Sequence, residues 1–318
     1  MLPGYPASLR IALFLPLLAL LLATTAWGQQ CILLQSSPLK PYEEARQGFE
    51  QAWSSQRPLL GPKSITIGTL TQIMLSEQPE ENTRALKKQL QNASLVVVIG
   101  DPALNFVRDL EQTPVLYLLA PSAGELPVNF TGIDMRIVPS RQLETISRLA
   151  PGLQSIGALY NPVHTGSWVQ EALLSPGSSN QTLLFKKVAG PSDVPGALAG
   201  LSHVIDCYWL LPDPLVTSPP ALKALQEFSM TNLVPIISFS ERYLKDGAAA
   251  AIIFAMDDMG AQAAEMAARI LAGASPGSVA VESPRRQRVI ANTLILHKMR
   301  VVINEAVVDE IYSGEQQP

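Results

Sequence analysis

Polar side chains gather where apolar runs end. Ser36 and Ser37 follow Ile32-Leu33-Leu34, with Tyr42 a few residues on. Asp101 follows Leu95-Val96-Val97-Val98-Ile99, and Asn161 follows Ser155 to Tyr160. Further along, Asp213 lies between Pro212 and Pro214 after Val204 to Leu211. Ser238 closes Val234 to Ser238, and Asp257 comes after Ala248 to Phe254. Hydroxyls, an amide and carboxylates at such ends can hydrogen-bond a small solute, and the Tyr42 ring can stack on one. That is recognition chemistry. The motifs of catalysis do not occur: there is no G-x-S-x-G elbow, no P-loop and no dinucleotide glycine fingerprint. His164, His203 and His297 are widely separated and make no metal-ligand spacing with cysteines or carboxylates. No catalytic residue, cofactor or metal is expected, although triads that assemble from distant residues leave no local mark.

Each of these residues also has an ordinary role open to it. Asp101, with Pro102 behind it, suits the start of a helix, and Asp257 would cap the helix that follows it. Asp213 between two prolines and Asn161 before Pro162 suit turns. Ser36 and Ser37 can simply form a strand-to-helix turn, and Tyr42 can be a surface residue of the first helical turn. Trp168 is a cleft lid or, the favoured reading, packing. Arg242 pairs with a ligand carboxylate or is a surface arginine. Ser238 has the best strand-end placement in the second half of the chain, and only a minority of the set is expected to touch ligand.

The elements that must position these residues alternate along the chain. Apolar runs at Ile32 to Leu34, Ile65 to Leu70, Leu95 to Ile99, Val115 to Leu119, Ser155 to Tyr160, Thr182 to Val188, Val204 to Leu211, Val234 to Ser238 and Ala248 to Phe254 read as strands. Between them run helical patterns at Pro41 to Trp53, Glu81 to Leu90, Ala103 to Leu110, Ser140 to Leu149, Thr165 to Leu174, Ala221 to Met230 and Asp258 to Leu271. In the last of these, Met259, Ala263, Met266, Ala267 and Ile270 make one apolar stripe. Continuous apolar strands alternating with amphipathic helices imply parallel sheets covered on both faces, with ligand bound at the strands' carboxyl ends. The strands are too many for one modest sheet. The alternation breaks at Val128 to Arg136, near Ala255 to Asp258, and in Ala274 to Pro284, which reads as three crossings between two α/β lobes.

Composition agrees. With 318 residues and 47% hydrophobic content the chain can build two real cores, which excludes wholesale disorder. Two cysteines exclude a disulfide-dense scaffold, and Cys31 and Cys207 are read as free buried thiols, with a disulfide as the minority reading. A formal charge of −4 with no long basic run argues against a nucleic-acid partner. Met1 to Gly28 combines Arg10, an apolar run from Ile11 to Ala23 and small residues at Ala26 and Gly28, the parts of a secretory signal peptide cut near Gly28. The run is short for a full membrane span. Its removal takes the formal charge to −5, because it carries Arg10 and no carboxylate. A periplasmic or otherwise extracytoplasmic protein is expected.

Several stretches, in order, resemble a known family. They are Phe130-Thr131-Gly132-Ile133, Ser155 to Pro162, Asp246-Gly247 through Asp257, Gly260, Ala263-Ala264, Ile270-Leu271-Ala272-Gly273, and Val289-Ile290-Ala291-Asn292. In these the chain is similar to the substrate-binding proteins of ABC importers with the type I periplasmic-binding fold, in the group that includes tryptophan- and tyrosine-type binders. The resemblance implies an α/β molecule of two doubly wound parallel-sheet lobes joined by a three-segment hinge. Residues 29–132 plus 255–282 would form one lobe and 133–254 plus 283–318 the other. A small molecule, an amino acid or an amine-containing metabolite, would be trapped between them by hinge closure, and an ABC permease in the membrane would be the partner. The ligand contacts expected are Ser36, Ser37, Tyr42, Asp101, Asn161, Asp213, Ser238 and Asp257. Small hydroxyls suit a ligand carboxylate, but Asp101 stands where Thr or Ser would be more typical. With Asp213 and Asp257 it points to a ligand bearing an amine and disfavours a simple monoanion. Two other functions stay open: an extracytoplasmic sensor or adaptor without transport, and an exported hydrolase using Ser238.

Overall fold

The computed structural model describes residues 29–56, 69–121, 124–175 and 181–314. The expected signal segment lies outside them, as does the Ile65 to Leu70 run except for its end. Two sheets form. The first holds β1 (Cys31–Gln35), β2 (Leu70–Met74), β3 (Leu95–Ile99), β4 (Val115–Leu118) and β5 (Phe130–Gly132), in the order β2-β1-β3-β4-β5, every pair parallel. The second holds β6 (Ser155–Tyr160), β7 (Thr182–Lys187), β8 (Cys207–Trp209), β9 (Ile236–Ser238), β10 (Ala250–Phe254), β11 (Gln287–Ala291) and β12 (Glu310–Ile311). Its order is β12-β11-β10-β9-β8-β6-β7, parallel except that β11 runs against β10. The run expected as a strand from Val204 is shorter. The chain turns through Leu201–Val204, with His203 at φ 61°, before β8 begins.

Both sheets are doubly wound for the reason the apolar strands suggest. In the first, alternate residues face opposite ways. Cys31, Leu33, Leu95, Val97 and Ile99 pack on Ala45, Phe49 and Trp53 of α1 (Lys40–Gln56). Ile32, Leu34, Val96 and Val98 pack on Leu86 and Leu90 of α2 (Thr83–Gln91) and on Ala103, Leu104 and Val107 of α3 (Asp101–Val107). In the second sheet, Ile156, Ala158, Cys207 and Trp209 meet α4 (Pro139–Leu149) and α5 (Pro162–Leu174). The opposite face meets α6 (Val194–Ala199) and α7 (Pro219–Asn232). Cys31 and Cys207 are both free and fully buried, one in each sheet.

Three segments connect the sheets, and they lie side by side. The first leaves β5: Ile133 pairs in parallel with Glu282 of the third, and the Asp134 amide donates to the Glu282 carbonyl at 2.9 Å. The second is Ala255, whose amide donates to Arg286 of the third at 3.2 Å. It delivers α8 (Met256–Leu271) from the second sheet to the core of the first, where Met259, Ala263, Met266, Ala267 and Ile270 join Phe49 and Trp53. The third segment begins β11, after which α9 (Thr293–Lys298) leads towards β12.

The docking of α8 on α1 is unusually close. A Cβ on Gly260 would sit 1.9 Å from the Ala45 carbonyl oxygen and 2.6 Å from the Phe49 nitrogen, and one on Gly48 would sit 1.9 Å from the Asp257 carbonyl oxygen. Backbone meets backbone at both points, so no side-chain adjustment can make room.

Two outcomes are expected. Gly260→Ala forces the helices apart and lowers stability by at least about 2 kcal/mol, read from urea unfolding; a change below about 0.5 kcal/mol would contradict the close crossing. Burial pushes the Cys31 thiol up to about 12 and raises that of Cys207 as well, with the Asp206 charge adding to it. A thiol reagent at pH 8 therefore titrates no thiol in the native protein and two after denaturation.

Candidate functional site

Both sheets contain the same topological event. In the first, the order reverses between β1 and β3; in the second, the order β7-β6-β8-β9-β10 reverses between β6 and β8. At such points the loops leaving the carboxyl ends diverge to opposite faces and open a crevice. Six of the eight residues singled out from the sequence lie there in two groups, and Ser238 and Asp257 lie elsewhere.

At the first crevice Ser36, Tyr42 and Asp101 come together. The Ser36 hydroxyl donates to the Ile99 carbonyl at 2.7 Å and accepts from the Ala103 amide at 2.9 Å, tying the end of β1 to the start of α3. Gly100 between them has φ 92°, and a Cβ there would meet Ser36 Oγ and the Tyr42 ring, each at 2.7 Å. Glycine is required on both counts. Burial raises the Tyr42 phenol above its ordinary value, and the neighbouring Asp101 charge adds to it. Ser37 contributes its carbonyl, which accepts from Gln35 Nε2 at 2.8 Å.

At the second crevice Asn161 and Asp213 are bonded to each other. Asp213 is fully buried. Its Oδ2 accepts from the Asn161 amide at 2.7 Å and the Thr165 hydroxyl at 2.6 Å, and its Oδ1 from the amides of Leu215 at 2.9 Å and Val216 at 3.4 Å. The Asn161 side chain caps α5 by accepting from Val163 at 2.9 Å and donates to the Val188 carbonyl at 3.1 Å. The carboxylate thus holds the loop after β6 to the loop after β8, the turn-forming role its flanking prolines allow. Ser238 is buried at the end of β9, its hydroxyl shared between the carbonyls of Ser240 at 2.9 Å and Ala250 at 3.2 Å. Asp257 is exposed on the first turn of α8, its backbone against Gly48.

A cavity of about 430 Å³ opens between the sheets. The first lobe gives Lys40, Pro41, Glu44 and Pro121; the second gives Pro212, Phe239, Ser240, Glu241, Ile253 and Arg288; the connections and the residues on either side of them floor it with Met135, Ile137, Phe254 and Met256. None of the eight residues singled out from the sequence is on this lining. The lining passes beside them instead: Pro41 precedes Tyr42, Pro212 precedes Asp213, Phe239 follows Ser238 and Met256 precedes Asp257. Glu44 and Arg288, which the sequence reading missed, form an ion pair across the cavity at 3.3 Å. Among the described residues no group of three or more His, Cys, Asp or Glu is placed to hold a metal, and no helix is long and apolar enough to cross a membrane.

Comparisons with known proteins agree with this architecture. A family model described as ABC transporter substrate binding protein matches residues 78–313. A tyrosine-binding protein of Clostridioides difficile is 24% identical over 229 residues, 68% of this chain and 66% of that protein. Among solved structures, a ligand-free, open substrate-binding protein with adhesive properties from Clostridium difficile superposes with a TM-score of 0.66 at 20% identity, covering 89% of this chain and 99% of the other. A domain from Streptococcus pneumonia in complex with L-Trp gives 0.50 at 18% identity, with 90% and 100% covered.

Asp213→Ala leaves several buried donors without an acceptor. We expect a loss of about 3 kcal/mol in urea unfolding. A variant as stable as the parent would show that the carboxylate is not the tie between these two loops.

Proposed function

The chain belongs to the ABC transporter substrate-binding protein family, and we propose that it is the extracytoplasmic solute-binding component of an import system. In this reading a small molecule enters the cavity between the lobes and is trapped when they close on the three connecting segments. The observation that carries it is the interlobe cavity, placed at the carboxyl ends of both sheets and floored by the connections and the residues on either side of them. A ligand lodged there touches both lobes, which is the condition for its binding energy to favour a closed state. The lobes are residues 29–132 with 255–282, and 133–254 with 283–318. The ligand contacts proposed are Ser36, Ser37, Tyr42, Asp101, Asn161, Asp213, Ser238 and Asp257, which border the cavity lining rather than belong to it.

The lining favours a ligand with an apolar body. Met135, Ile137, Phe239, Ile253, Phe254 and Met256 surround it, and the relatives named for tyrosine and complexed with L-Trp suggest an aromatic amino acid. The ligand leaves unchanged. Ser238 gives its hydroxyl hydrogen to backbone carbonyls, which is not the arrangement of an activated nucleophile. The signal segment is removed near Gly28, the mature protein works in the periplasm or an equivalent compartment, and its closed form docks on a membrane permease.

The test is a thermal-shift and scattering experiment on the mature chain with L-tyrosine, L-tryptophan and tyramine. A true ligand at one hundred times its dissociation constant stabilises the protein by about 2.7 kcal/mol and reduces the radius of gyration. Absence of stabilisation by all three, or stabilisation with no compaction, defeats the reading.

A further inference from the structure

Four charged side chains line a cavity whose other lining is apolar apart from Ser240, and they balance: Lys40 and Arg288 against Glu44 and Glu241. Two of them meet. Glu44 comes from α1 in the first lobe and Arg288 from β11 in the second, so their contact at 3.3 Å is a bridge between lobes. It is a partly buried one, with about a fifth of each side chain exposed (21% and 23%). Lys40, one helical turn before Glu44, is exposed, and Glu241 lies on the loop after β9.

The pair is incompletely bonded. Arg288 Nε is buried and has no hydrogen-bond partner among the described residues. A guanidinium offers Nε and one Nη as a parallel fork that matches a carboxylate. Here only an Nη2 contact to Glu44 is made. The side chain, which lines the cavity, therefore keeps a buried donor to which no described residue supplies an acceptor.

Resting on the function proposed above, we propose that Glu44 and Arg288 are the specificity-determining charges of the cleft and exchange partners with the solute. A zwitterion presents its carboxylate to the Arg288 fork and its ammonium to Glu44, replacing one interlobe ion pair by two ligand-mediated ones. Both protein charges stay compensated when the apolar part of the ligand fills the space between Phe239, Met135 and Met256. A ligand with one charge leaves either Glu44 or Arg288 unpaired in a closing, desolvated cleft, which is the expensive outcome. The reading sharpens the sequence-based expectation of an amine-bearing ligand. The amine is required, but so is the acid, and Glu44 takes the role that Asp101, Asp213 and Asp257 were expected to share.

Calorimetry with three probes of one ring system tests it: L-tyrosine, tyramine, which lacks the carboxylate, and 3-(4-hydroxyphenyl)propionate, which lacks the amine. The parent protein should bind L-tyrosine about 10- to 100-fold more tightly than either analogue. In Arg288→Gln, L-tyrosine loses most of that advantage over tyramine. In Glu44→Gln it loses its advantage over the propionate. Thermal unfolding of the two variants checks that each remains folded. If both variants weaken all three probes equally, or leave L-tyrosine binding unchanged, the exchange is overturned while solute binding stands. If the parent binds none of the three the exchange falls, and if it also fails to bind L-tryptophan the proposed function falls with it.

Discussion

The molecule depends on a place where two helices touch through bare backbone. Gly48 on α1 and Gly260 on α8 bring carbonyl and amide groups to distances that no Cβ would allow. Helix α8 is the direct continuation of β10 in the second sheet, yet its apolar stripe is buried in the core of the first. A wider crossing would lift Met259 and Ala263 off Phe49 and shift Met256, which floors the cavity, together with Phe254 on the strand before it. The depth of the cleft and the line about which the lobes join are therefore set by a contact that has no functional chemistry of its own.

Around that contact the lobes and the connections are held together in two ways. Each lobe is closed by two apolar faces, so neither can deform without opening a core. The connections are made differently. They are short, lie side by side, and bond through a few backbone contacts such as Ile133 with Glu282 and Ala255 with Arg286. Side chains reinforce them from outside: Arg285 pairs with Asp258 and Glu265, and Arg269 with Glu282, with the arginines largely solvated and Asp258 mostly buried. Arg285 reaches both oxygens of each partner carboxylate, so these pairs form a network across the third segment and α8 rather than isolated surface contacts. Two packed lobes joined by three short segments are the arrangement that the proposed clamp would use.

How much of this the sequence discloses depends on how local each feature is. The strands were legible because Val96 to Val98 or Ala250 to Ile252 are apolar on both faces, a pattern that only a doubly covered sheet explains. The crevice loops were legible for the same reason, since a strand's end is visible in Gly100 or in Pro212-Asp213-Pro214. Which side chain of a loop faces the cavity was not. Successive residues at a strand end point opposite ways, so Ser238 turns into the protein while Phe239, one position on, turns to the cleft. Asp213 has the residue type for ligand contact, yet four donors from its own lobe surround it, and only the folded loops bring them there. The β10–β11 pairing, which reverses the sheet's direction, leaves no periodicity different from that of its parallel neighbours. The Glu44–Arg288 pair joins residues 244 positions apart on different lobes. No spacing rule reaches that far.

In the proposed clamp, that pair also bears on what would drive closure. An apolar cavity gains from excluding water only once it is filled, and the empty cleft gains little by shutting on vacant space. A charge pair in its lining would resist the same collapse, because closing on it strips solvent from both ions while Arg288 Nε still lacks an acceptor. The bridge is then strong enough to register the two lobes against each other and too poorly bonded to seal them. A ligand that completes the guanidinium's fork and matches the carboxylate removes both objections at once, filling the space and satisfying the charges. Under that proposal selectivity and closure would be one event, driven by the same hydrogen bonds, and a solute that met only the apolar walls would leave the clamp without its strongest reason to shut.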